Sequence, residues 1–587
     1  MGSTWRYKTY FILFLVAFSG FYLVPTFLNF KAQREDLQKQ KLDIPWYHKV
    51  FPADQINLGL DLQGGIYLEL EVLFEDAIHN QVDLTVSALE RFLEEKEVKG
   101  VKVTRVAKSD TIEMEFSDEA SRSLVEGFFL KNYSEGYHKI TKTPESVPET
   151  APSAGLQVFY KMTDAQRVNL KDQTLNQAIE TIRNRVDRYG VSEPAISRVG
   201  DNRVAVELPG ETDPVRALSV IMQAGKLEFR LVDETPLKED LATSVAKARA
   251  ENKLLDDYSR ETVEQINDAL KGKIPEGTEV LFQLERDPKD KKITGGKPFL
   301  VKNKADVTGD MLKSAQVDIY QNKPVVSFTL KATGKKLFGE LTEKNVGKNL
   351  AIILDGNVMS APNIEEAIYG GSGQIKLGSG NYDQLLREAQ DLVVVLREGA
   401  LPASLKEATK TIIGPSLGKS SIQKGISAML IAGAIVIIFM IFYYKLSGVV
   451  ADLALGFNVL FILTLLAIFG ATLTMPGLAG IILTMGMAVD ANIIIFERIK
   501  EELAEGKKVV AAVEAGFSNA MSAIVDSNLT TFFIGIVLYQ YGTGAVRGFA
   551  VTLMIGIATT MLTAIMVSRL MMEYLARKAK NQNVLSI

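Results

Sequence analysis

What most limits the fold of this chain is the placement of its apolar runs. One spans residues 10 to 30, and five more follow at about 422 to 444, 448 to 473, 477 to 496, 522 to 541 and 546 to 568. Each approaches the ~20 residues that an α-helix needs to cross a bilayer. Residues 31 to 421, between the first run and the second, have the ordinary polarity of a water-exposed domain. The expected fold is therefore a multi-span α-helical membrane protein of six transmembrane helices with one large soluble insert. The first run follows Arg6 and Lys8, as a secretory signal would, but it has no small-residue cleavage end and continues through Tyr22, Pro25 and Phe27. It reads as an uncleaved anchor.

Six spans return both termini to one side, and the basic residues indicate which. Arg6, Lys8, Lys445, Arg498, Lys500, Lys507, Lys508, Arg569, Arg577, Lys578 and Lys580 share the side of the termini, whereas the opposite loops hold only Arg547. Positive charge stays in the cytoplasm, so the insert is expected outside, in the periplasm of a bacterium with two membranes.

Within the insert, IYLELEV at 66 to 72 alternates Ile66, Leu68, Leu70 and Val72 with polar neighbours, the period of a half-buried strand. From Leu175 a helix carries Ala178, Ile179, Ile182, Val186 and Tyr189 on one face, with Gly190 as its stop. ISRV and RVAVEL then flank Gly200, Asp201 and Asn202, a hairpin signal. Together they predict an α+β domain. The expected division is 1–30 for the N-terminus and first span, 31–235 for a base, 236–377 for an inserted head, 378–421 for the return to the base, 422–570 for the other five spans and 571–587 for a cytoplasmic tail. TPESVPETAPSAG, 143 to 155, reads as a flexible connector, and an amphipathic helix through Leu385, Leu392 and Leu396 ends at Gly399.

Several chemistries find no support. A net charge of −4 offers no broad basic field for nucleic acid. There is no cysteine, and His48, His79 and His138 lie far apart, so no metal or other cofactor is expected. GPSLGKSS at 414 to 421 resembles a phosphate loop, but three residues stand where four must let the backbone wrap a phosphate. Hydrolysis lacks a nucleophile, base and orienter, so the chain is read as no enzyme.

Asp490 carries the strongest polar signal. It sits inside the run from Gly477 to Phe496, where an aspartate costs roughly 2.5 to 3.5 kcal/mol to insert. Its side chain is too short to snorkel from mid-span. A structural hydrogen bond to Asn492 or to a neighbouring helix is the competing reading, and ion coupling is the favoured one. Asp526, among Ser527, Asn528, Thr530 and Thr531, either lines a hydrated path or joins helices, and Asn458 has the same two readings. Asp452 and Arg547 lie near span ends and read as interfacial. Small residues recur every fourth position at Gly548, Thr552, Gly556 and Thr560, and at Gly480, Thr484 and Ala488, with Gly486 close by. Such ridges let helix backbones approach, in static packing or in sliding.

LGLDLQGGIYLELEV (58–72), IRNRVDRYGVSEPAISRVGDNRVAVELPG (182–210), ILDGNVMSAPNI (353–364), LREGALPASL (396–405), TIIGPSLGKSSI (411–422) and GMAVDANIIIFERIKEEL (486–503) together resemble the SecD family of bacterial export subunits, within the resistance-nodulation-division superfamily. The resemblance covers essentially the whole chain, although residues 236 to 300 carry none of these blocks. It implies a ferredoxin-like base and a mobile head, pairing with SecF, association with the SecYEG channel and an unfolded preprotein as client, with YajC left open as a further associate. It also implies that proton-motive force, or sodium in some relatives, drives the movement, and that Asp490 occupies the required carboxylate position, with Gly486, Ala491 and Asn492 completing the motif. The basic partner in the family belongs to SecF. Two other readings stand beside it: half of a small-molecule or lipid exporter, which calls for a second large insert and a tandem repeat, and a passive membrane-anchored chaperone, which would tolerate loss of Asp490.

Overall fold

A computed structural model describes residues 3–28, 45–46, 50–52, 55–106, 109–140, 156–189, 194–211, 213–235, 239–255, 257–286, 293–305, 307–378, 380–542, 544–578 and 586–587. The expected connector at 143–155 and the helix stop at Gly190 lie outside the described residues. The chain opens with a membrane-length helix, α1 (Ser3–Phe27). Then come β1 (Asn57–Leu58), the single turn α2 (Leu60–Gln63) and β2 (Gly65–Val72). In β2 the expected alternation holds: Ile66, Leu68, Leu70 and Val72 are buried. Burying each such side chain contributes roughly 1.5 to 3 kcal/mol, and this fixes the face and register of the strand.

A unit not foreseen in the sequence follows. It comprises α3 (Phe74–Glu95), β3 (Val101–Arg105), β4 (Thr111–Phe116), α4 (Glu119–Tyr133), β5 (Tyr137–Ile140) and β6 (Leu156–Met162). Its strands form a sheet of their own in the order β3-β4-β6-β5, with a separate core of Ile78, Val82, Ile112, Met114, Phe129 and Tyr160. What was expected to be one base up to residue 235 thus holds two sheets.

The base itself resumes with α5 (Asp164–Tyr189), β7 (Ala195–Val199), β8 (Arg203–Pro209) and α6 (Pro214–Met222). Its sheet order is β18-β2-β8-β7, closed by a strand from much later in the chain, β18 (Leu405–Ile413). All its pairs are antiparallel, in the 4-1-3-2 order of a ferredoxin-like layer, and α5 and α6 cover one face through Leu175, Ala178, Ile182, Ala217 and Ile221.

The head is the excursion between α6 and β18. It contains β9 (Leu227–Leu231), α7 (Leu241–Glu251), α8 (Arg260–Leu270), β10 (Thr278–Arg286), β11 (Ile293–Lys302), β12 (Val307–Thr308), β13 (Leu312–Tyr320), β14 (Lys323–Leu330), α9 (Ala332–Lys344), β15 (Leu350–Leu354), β16 (Asn357–Ser360), β17 (Ser372–Lys376) and α10 (Tyr382–Glu398). A six-stranded sheet β11-β10-β16-β15-β9-β12 packs beside a three-stranded one, β13-β14-β17. Because β9 pairs with β15 from Leu227 to Leu231, the head begins about nine residues before the expected 236. Ala389, Leu392 and Leu396 of α10 belong to the head core, so the head also runs past the expected 377.

The membrane part is built from α11 (Pro415–Ile468), β19 (Thr472–Leu473), α12 (Met475–Ala504), α13 (Val509–Tyr541), α14 (Gly544–Leu562), a π-helical turn at Thr563–Ser568 and α15 (Arg569–Lys578). Among the described residues five helical segments are long and apolar enough to cross a bilayer, and α11 is 54 residues long. It breaks at Lys445, whose backbone is non-helical at φ 50° and ψ −119°. Its two ends both meet the base: a Cβ on Gly418 would overlap the Leu62 carbonyl, and Thr472–Leu473 pairs in parallel with Asn57–Leu58. The two arms therefore form a hairpin turned at Lys445, which gives six spans. Ser447 donates to the Ser586 carbonyl and Trp5 stacks on Tyr574, so both ends of the chain gather at the Lys445 end, away from the base. The expected tail from 571 begins instead inside α15, where Met572 and Ala576 are buried.

Candidate functional site

Small residues set the spacing of the bundle. α12 runs parallel to α14, and the two nearly touch: a Cβ on Gly480 would stand 2.5 Å from Thr552 Oγ1, one on Gly548 2.6 Å from Thr474 Oγ1, and one on Gly556 would overlap Thr484. Gly486 departs from this pattern. A Cβ there meets nothing within 4 Å among the described residues, so Gly486 makes no close helix contact within this chain. It lies one turn before Asp490, and both are exposed on the same face of α12.

On α12, Asp490 stands midway between Met475 and Ala504. Among the described residues no ion pair or side-chain hydrogen bond reaches it. Asn492, two positions on, points the other way: it is buried, its Nδ2 donates to the Ala488 carbonyl at 3.0 Å, and its Oδ1 has no partner among the described residues. Asn492 therefore does not hold Asp490.

α13 runs antiparallel to α12, with Gly516 pressed against Ile499 and Asn519 donating to Glu502 at 2.8 Å. Ten residues further on in α13, and ten back in α12, Asp526 comes level with Val489 and Asp490, since each residue advances 1.5 Å along either axis. Asp526 is exposed, and Ser522 Oγ donates to its Oδ2 at 3.3 Å. Ser527 and Thr530 are exposed beside it, while Leu529, Phe533 and Val537 continue the exposed surface as apolar side chains. The structure thus brings Asp490 and Asp526 to one depth.

Asn458 lies elsewhere. It is fully buried between α11 and α14, donating to Thr560 Oγ1 at 2.9 Å and accepting from Thr559 Oγ1 at 2.5 Å. Both ends of its amide, nitrogen and oxygen, are thus bonded to threonines of α14, the arrangement of a helix-joining group. Asp452, near a span end and interfacial by sequence, has both of its carboxylate oxygens enclosed and without a partner among the described residues.

A protein translocase subunit SecD from Calditerrivibrio nitroreducens is 42% identical over 89% of this chain and 93% of its own length. This chain belongs to the SecD family. A SecD from Syntrophobacter fumaroxidans is 38% identical over 98% of both chains. Family models match in pieces: the SecD/SecF GG motif at 50–72, the N-terminal part of the SecDF P1 domain at 175–234, the SecDF P1 head subdomain at 283–403 and the SecD/SecF C-terminal region at 398–578. Among solved structures, SecDF from Thermus thermophilus, described as a translocon-associated membrane protein, is 30% identical with a TM-score of 0.47 over 98% of this chain. The chain spans about six-tenths of that longer SecDF chain, 60% by alignment. As a SecD-family translocase subunit it is a multi-span membrane protein with a large β-rich soluble domain rather than an enzyme of the classical kind.

The unit from α3 to β6 falls outside all four matched segments. A second set of residues missed in the sequence forms the joint of base and membrane: Gly64, Gly65 and Gly418. Gly65 has φ +135° and its Cα faces the Leu208 carbonyl, a position closed to any side chain. The doubled glycine at 64–65 was the available signal.

Proposed function

We propose that this chain is the SecD subunit of a bacterial protein-export machine, seated in the inner membrane with both termini cytoplasmic and residues 31–421 periplasmic. Lys445, Arg498, Lys500 and Lys507 cluster at the end away from the base, whereas the loop at Thr472–Thr474 beside the base is uncharged, which supports that orientation. SecF covers the open face of α12 and α13, supplies the remaining spans and brings the basic partner for Asp490. The assembly joins SecYEG, and the periplasmic domain pulls an emerging preprotein chain outward. A proton or sodium gradient drives the movement without ATP.

The observation that carries this reading is Asp490, exposed at mid-length of a membrane helix and level with a second carboxylate. Moving one charge through 100 mV is worth about 2.3 kcal/mol, enough to bias a two-state equilibrium roughly fiftyfold. The test is gradient-stimulated export into vesicles carrying this chain, SecF and SecYEG. Asp490→Asn is expected to assemble normally and to lose the stimulation; normal stimulation would leave only a passive holder of polypeptides.

A further inference from the structure

The first span leaves a hollow where it meets the rest of the bundle. At the Lys445 end, a cavity of about 420 Å³ lies between α1, the second arm of α11 and α15, with Trp5, Val450, Leu453, Leu570 and Tyr574 among its walls. Every side chain that lines it is aliphatic, aromatic or methionine. Asp452, although next to Leu453 in sequence, does not line it. Water stays in such a place only where several polar groups hold it, so the walls call for an apolar occupant; left empty, they forfeit dispersion contacts. Leu446 and Leu453, which line the cavity, are exposed, so it opens outward from the bundle.

Its rim suits the headgroup end of a lipid. Trp5 stacks on Tyr574 with ring centroids 6.2 Å apart, an aromatic pair of the kind found where spans leave the hydrocarbon. Trp5 Nε1 is enclosed, and no acceptor among the described residues meets it. An indole N–H can only donate, and leaving it unmade costs its desolvation. The glycerol esters of a phospholipid present carbonyl oxygens at this depth, just beneath the headgroup.

Positive charge gathers at the same rim. Lys578 Nζ lies 5.3 Å from the centroid of the Tyr574 ring, which places its ammonium at the edge of the cavity. Arg577 precedes it and Arg6 follows Trp5, both exposed. Little acid opposes them: α1 contains none, and Glu573, the one acid of α15, is paired with Arg569 at 3.1 Å. A dry apolar slot thus lies under an aromatic rim whose charge is positive.

We propose that this cavity binds an anionic phospholipid of the leaflet at the Lys445 end, with an acyl chain in the slot, an ester carbonyl accepting from Trp5 Nε1 and the headgroup against Lys578, Arg577 and Arg6. The slot alone would take the chain of any lipid; the cations select an acidic headgroup. Further along, α1 meets the bundle through a small core of Ile12, Ala454 and Val567. The bound lipid extends that seam to the membrane surface and fastens the first span to α11 and α15. The proposal needs only that these helices span a bilayer, whichever side the Lys445 end faces, so it stands or falls apart from the export reading.

The chain has two tryptophans, so Trp46→Phe leaves Trp5 as the single indole fluorophore. The full-length protein is reconstituted in phosphatidylcholine bilayers in which a small fraction of the lipid carries brominated acyl chains, which quench an indole only on contact. Brominated phosphatidylglycerol should quench Trp5 about threefold more than brominated phosphatidylcholine at the same fraction. Arg577→Glu combined with Lys578→Glu should abolish that preference and leave quenching by phosphatidylcholine unchanged, since both positions are exposed and outside the slot. Leu453→Phe, which narrows the slot, should reduce quenching by both lipids. Equal quenching by the two lipids before any charge is reversed, or a preference that survives the reversal, would overturn the anionic lipid; quenching untouched by Leu453→Phe would overturn the cavity as its site. Loss of quenching when SecF is reconstituted alongside would give the cavity to that subunit and overturn the proposal as well.

Discussion

Gly418, in the first turn of α11, sits against the Leu62 carbonyl of α2 so closely that no side chain fits between them, and an added Cβ would also come within 2.9 Å of Gly64 N. The first long membrane helix after the insert is thereby seated on the doubled-glycine turn. Gly418→Ala should push the two apart at a cost of about 1 to 3 kcal/mol, the usual range for overpacking. Thermal unfolding in detergent should show the loss, and residues 59–64 should become accessible to protease before the head does.

Asn458 tests whether a buried polar group in the bundle is glue or path. Its bonds to Thr559 and Thr560 are intramembrane and fully enclosed. Asn458→Ala should destabilise the bundle by about 0.6 to 2 kcal/mol, measured by denaturant unfolding, while gradient-stimulated export by the folded fraction stays intact. Export lost at unchanged stability would place Asn458 on the ion route instead.

The glycines of the bundle should separate into two classes. Gly556→Ala meets Thr484 and should lower thermal stability, whereas Gly486→Ala meets nothing in this chain and should leave it unchanged. If SecF covers that face, Gly486→Ala should weaken co-purification of SecF, a readout that Gly486→Ala in the isolated chain cannot give.

Glu207 of β8 lies where the base meets the start of α14, its carboxylate beside Gly544. Burial, with Asp61 adding to it, pushes the Glu207 carboxyl above its ordinary value. The folded state then holds a proton that the unfolded chain releases. This contribution to stability is fully present below the unfolded pKa and is lost as pH rises through the raised folded one. Thermal stability should accordingly gain on mild acidification, and Glu207→Gln should flatten that part of the profile.

Periodicity made the strand at 66–72, the hairpin at 196–208 and the apolar spans legible, because each depends on local pattern and on burial of one face. The boundaries that failed depend on distant partners. Nothing in LEFRL announces that Leu227–Leu231 pairs with Leu350–Leu354. α13 begins at Val509, before the apolar run at 522, because Val513, Gly516 and Phe517 pack on the far end of α12 as an amphipathic turn. Asp452 reads as interfacial from its place near a span end, whereas the enclosure of both its carboxylate oxygens comes from tertiary packing that no local pattern announces. Asp490 and Asp526 each stood out in the sequence, but their common depth follows only from the antiparallel packing of Gly516 on Ile499.

The account stands on Asp490 changing its charge when a gradient is applied. Infrared difference spectra of the reconstituted complex, with and without an imposed pH or sodium gradient, should show a protonated-carboxyl band that rises and falls with the gradient and is missing in Asp490→Asn. A band that persists unchanged in Asp490→Asn, or the absence of any gradient-dependent carboxyl signal, would contradict it.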